Sequence, residues 1–160
     1  MSKRMKAVFI AVLLAATFVT VFQSIAIHNM KKEQEEQFYE HICTAAQDYE
    51  SYKENGNTTA YESAARALQA ASSIAELMDK SGDYQSIHSI LNTLLVYYGV
   101  CPELDYTPDY LQTQMDDMIS ALNDYTTNRN PAELYTRLKN VRVEILKMQQ
   151  EDAERHGISF

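Results

Sequence analysis

Apolar positions follow two different rules along this chain. From 7 to 27 they form one nearly continuous run, "AVFIAVLLAATFVTVFQSIAI", which holds no charged residue. As a helix those 21 residues would extend roughly 31 Å, matching the ~30 Å hydrocarbon layer of a bilayer. Beyond 28 the apolar residues recur instead at alternating steps of three and four, which places each set on one helical face.

Five such seams can be traced. Phe38, Ile42, Ala45, Tyr49 and Tyr52 form the first, and Tyr61, Ala64, Leu68, Ala71, Ala75 and Met78 the second. Tyr84, Ile87, Leu91, Leu94 and Tyr98 follow, then Leu111, Met115, Met118, Leu122 and Tyr125, then Leu134, Leu138, Val141, Ile145 and Met148. The punctuation agrees. All four glycines and all three prolines fall between these segments or beyond the last, where glycine suits a helix end and proline a first turn. Thr59 with Glu62 has capping-box spacing, Asn130 before Pro131 and Glu133 is a second start signal, and Thr107 before Pro108 and Asp109 a third. The predicted helices are 29–54, 59–80, 83–98, 108–128 and 131–155.

The expected fold is all-α: an N-terminal transmembrane helix followed by an antiparallel up-and-down bundle of four to five helices, since short connections favour antiparallel neighbours. The chain divides into a head at 1–6, a membrane segment at 7–27, a polar helical stalk at 28–37, the bundle at 38–156 and a tail at 157–160. The alanines of the second helix permit close approach of its neighbours and suggest a central place for it.

Charge orients this plan. Lys3, Arg4 and Lys6 precede the apolar run, whereas Lys31 and Lys32 are diluted by Glu33, Glu35 and Glu36. Positive flanks prefer the cytoplasm, so the N-terminus is expected inside and the remainder outside. A secretory signal peptide shares these features, with Ser24 and Ala26 ahead of a cleavage after Ala26, which would give a secreted protein. The length of the run favours an uncleaved single-pass anchor. Setting aside the three basic residues of the head leaves 11 of the 14 cations against all 22 acids, a formal charge of −11. Such a surface repels nucleic acid.

Motifs for chemistry are scarce. None of the four histidines has a carboxylate three residues before it, as a bundle di-iron site requires, and the zinc-protease and calcium-loop patterns are missing from the sequence. So are a nucleophile elbow, a phosphate loop and a dinucleotide fingerprint. The expectation is a protein without catalytic residues, metal or cofactor. Cys43 and Cys101 are a candidate disulfide for an exported domain, worth roughly 4 kcal/mol by loop closure; two free thiols are the alternative.

The eleven tyrosines, without one tryptophan, are the remaining signal. Tyr49, Tyr52, Tyr61, Tyr84, Tyr98 and Tyr125 lie on seams. Tyr39, Tyr97, Tyr106, Tyr110 and Tyr135 do not, and the stretch "YYGVCPELDYTPDYL" at 97–111 holds three of those five. Tyrosine gives broad contact area with a polar tip, as recognition surfaces need. The candidate partner-binding surface is therefore Tyr97, Glu103, Asp105, Tyr106, Asp109 and Tyr110, at the pole of the bundle far from the membrane. The expected role is a noncatalytic interaction or scaffold subunit of a cell-envelope assembly, with a protein partner.

Overall fold

The computed structural model describes residues 3–78, 82–99 and 109–155, apart from the side chains of 3, 4, 6–8, 11, 109 and 110. Five helices lie among the described residues: α1 (Lys3–Asn55), α2 (Thr58–Leu77), α3 (Asp83–Tyr98), α4 (Asp109–Asn128) and α5 (Pro131–Arg155). No strand occurs among the described residues. Where separate helices were expected on either side of 28, α1 is a single element. No proline or glycine interrupts its sequence, so nothing in the backbone chemistry calls for a break.

Two compact units divide the chain, Met1–Glu36 and Gln37–Phe160. In the first, the described large apolar side chains are exposed, Phe18 at 72% and Phe22 at 66% among them. The hydroxyls of Thr17, Thr20 and Ser24 donate to the carbonyls four residues earlier at 2.9 Å, which satisfies them without an outside partner. Among the described residues α1 alone is long and apolar enough to cross a membrane, a property that a signal sequence shares.

The second unit is built on a single hydrophobic core to which all five helices contribute. Each seam read from the sequence lies against it: every member is buried except Tyr84, Leu111 and Met148, which are half-buried. α2 packs on α3, α3 on α5, and α4 on α5. α2 buries six alanines, Ala60, Ala64, Ala65, Ala67, Ala71 and Ala75. These spend little side-chain entropy and let the neighbouring backbone come close.

The starts of α2 and α5 follow local chemistry, with one correction, while the start signal at Thr107 and Pro108 lies outside the described residues. α2 is capped by Asn57, not Thr59: Asn57 Oδ1 accepts from the Thr59 and Ala60 amides at 3.1 and 3.3 Å, while Thr59 is already helical. Gly56 makes the turn before it with φ of 66°, its amide donating to the Tyr52 carbonyl. Asn130 caps α5 as expected, accepting from the Ala132 and Glu133 amides at 3.2 and 3.3 Å. The residue before it, Arg129, takes the left-handed conformation with φ of 51°, which costs a side-chain-bearing residue about 1–2 kcal/mol.

Candidate functional site

Four tyrosines from three helices converge where α1 ends, α2 begins and α3 ends. Tyr49 and Tyr52 occupy the last turns of α1, and the Tyr61 ring packs edge-on against both, with centroids 5.3 and 4.8 Å apart. The positive ring edge against the negative ring face makes this arrangement favourable beyond burial alone. Tyr49 Oη donates to the Tyr98 carbonyl at 3.0 Å, and Tyr98 Oη donates to the Leu111 carbonyl at 2.9 Å. Buried phenols thereby tie α1 to the end of α3, and the end of α3 to the first turn of α4. Burial, reinforced by the neighbouring Tyr98 phenol, pushes the Tyr49 hydroxyl well above its ordinary ionisation range.

Two polar pairs lie at the edge of this cluster. Lys53 Nζ meets Asp116 Oδ1 at 2.6 Å, and Asn123 Nδ2 donates to Glu50 Oε1 at 2.6 Å, so α1 is also pinned to α4 from outside. Such exposed contacts contribute little energy but fix register.

Of the surface proposed from sequence, Tyr97 is half-buried, packs against the core, and donates from Oη to Gln149 Oε1 at 3.4 Å. Asp109 and Tyr110 open α4, and their side chains lie outside the described residues. Glu103, Asp105 and Tyr106 lie outside them altogether, as does Cys101. Cys43 is a half-buried free thiol, and no cysteine pair forms among the described residues.

Like Tyr97, the off-seam tyrosines Tyr39 and Tyr135 pack against the core. Tyr39 donates from Oη to the Thr126 carbonyl at 3.2 Å, leans on Tyr125 with centroids 6.4 Å apart, and carries the Arg129 guanidinium 3.6 Å above its ring. Tyr135 lies half-buried against the core, with Lys139 Nζ 5.9 Å from its centroid. Both flank a seam rather than sit on it, and a helix with neighbours on two sides buries its flanks as well. The preceding residue, Phe38, packs edge-on against Tyr84 at 5.3 Å and Tyr125 at 5.6 Å, closing the opposite end of the core.

A second polar group, which spacing alone did not single out, joins α2 to α3. Ser72 Oγ donates to Asn92 Oδ1 at 2.8 Å, His88 Nδ1 lies 2.9 Å from the Ser72 carbonyl, and Asn92 Nδ2 lies 3.1 Å from His88 Nε2. With its proton on Nδ1, the ring donates to the carbonyl and accepts from the amide, so each member is satisfied. The set contains the residue types of a nucleophile, a base and an orienting amide. Ser72 is only 1% exposed, however, and a substrate carbonyl has no approach to its Oγ. The signal available in the sequence was the four-residue step from His88 to Asn92, but that says nothing of a serine on another helix.

No cluster of three or more His, Cys, Asp or Glu side chains suited to a metal occurs among the described residues. Comparison with protein families, with curated proteins and with solved structures found no match to this chain.

Proposed function

We propose that this chain is a single-pass membrane protein whose helical domain acts, without catalysis of its own, as an interaction or scaffold subunit of a cell-envelope assembly. The observation that carries the anchor is the uncharged apolar run at 7–27, whose described large side chains are exposed rather than packed into a core. In water that surface would drive aggregation; in a bilayer it is at home. The basic head at Lys3, Arg4 and Lys6 supports a cytoplasmic N-terminus, with 38–156 outside the cytoplasm.

Within that domain the reading is an up-and-down antiparallel bundle. Its support is the order of contacts: on α1 and α4, Tyr39 meets Thr126, Glu50 meets Asn123 and Lys53 meets Asp116, so one helix ascends in number as the other descends. Between α2 and α3, Ser72 reaches both His88 and Asn92 across a short connection. Outside the cytoplasm, oxidation would join Cys43 to Cys101.

The partner surface in this reading is the tyrosine- and carboxylate-rich stretch containing Tyr97, Glu103, Asp105, Tyr106, Asp109 and Tyr110. Crosslinking in the native membrane, followed by capture of this chain, tests it. We expect a defined envelope protein to be recovered with the native sequence and lost with Tyr106→Ala/Tyr110→Ala, at unchanged helicity and melting temperature. Undiminished recovery with the double variant would remove the site. An N-terminus at Ile27 in the secreted fraction would make the chain a released binding protein instead.

A further inference from the structure

We draw no further inference here: the strongest candidate, the Ser72, His88 and Asn92 side-chain cluster in the α2–α3 seam, closes its hydrogen bonds on itself around a serine only 1% exposed, so nothing in the structure points to a ligand that it would take.

Discussion

At Tyr49 a single phenol couples burial to alkaline stability. The folded chain holds it protonated, by desolvation first and by the Tyr98 phenol second, while in the unfolded chain it ionises near its ordinary value of about 10. A folded-state value above the unfolded one contributes stability that is complete below about pH 10 and declines as pH rises further, by up to about 1.4 kcal/mol per pH unit. Tyr49→Phe gives up the hydrogen bond to the Tyr98 carbonyl, about 1 kcal/mol at neutral pH, but also removes this ionisation. Urea unfolding of the second unit's fold at about pH 7 and about pH 11 is predicted to show a smaller alkaline loss for the variant. An equal loss in both proteins would refute the assignment.

Arg129 poses the opposite trade, because its backbone is strained while its guanidinium stacks on Tyr39. Arg129→Ala keeps the strain and loses the stack. Arg129→Gly loses the stack and relieves the strain. Glycine is therefore expected to leave the protein more stable than alanine by roughly 1 kcal/mol, readable from their unfolding midpoints.

Among the elements, α2 shows most directly how composition becomes packing. Its buried alanines admit no larger side chain without displacing a neighbour, so Ala71→Leu is predicted to cost about 1–3 kcal/mol, despite leucine's good helix propensity. Leu68→Ala on the same face should cost about 2–5 kcal/mol by opening a cavity. Thermal melting that found Ala71→Leu neutral would mean that α2 is not closely surrounded.

The seams were legible from the sequence because a period of three and four residues is a direct imprint of the helical pitch. Phe38 to Tyr52 and Leu134 to Ile145 could be assigned to the core residue by residue. The start of α2 was misplaced because asparagine and threonine both make good caps. The choice rests on which residue leaves helical geometry, and here Asn57 does, with ψ of 97°. Tyr39, Tyr97 and Tyr135 escape the pattern for a related reason: a pattern finds the centre of a buried face, whereas the width of that face depends on how neighbouring helices enclose it. The same holds for the Ser72, His88 and Asn92 group, whose members meet only through tertiary packing.

For the molecule as a whole, α1 carries a stretch long and apolar enough to cross a membrane and also contributes to a core shared with the other helices. If 7–27 is an uncleaved anchor, the intact chain should remain with membranes through carbonate washing, and protease added outside sealed cells should remove 38–156 while an N-terminal tag stays protected. Recovery of the full chain in the soluble cytosol would overturn the proposed membrane assignment, although the helical core could persist.

The paired phenols of Tyr49 and Tyr98 have a further effect on evolvability. Since Tyr49 grips the end of α3 and Tyr98 grips the opening turn of α4, the neighbouring helices are stitched together on both sides of residues 100–108. Sequence drift between the stitches leaves the scaffold its own means of staying assembled.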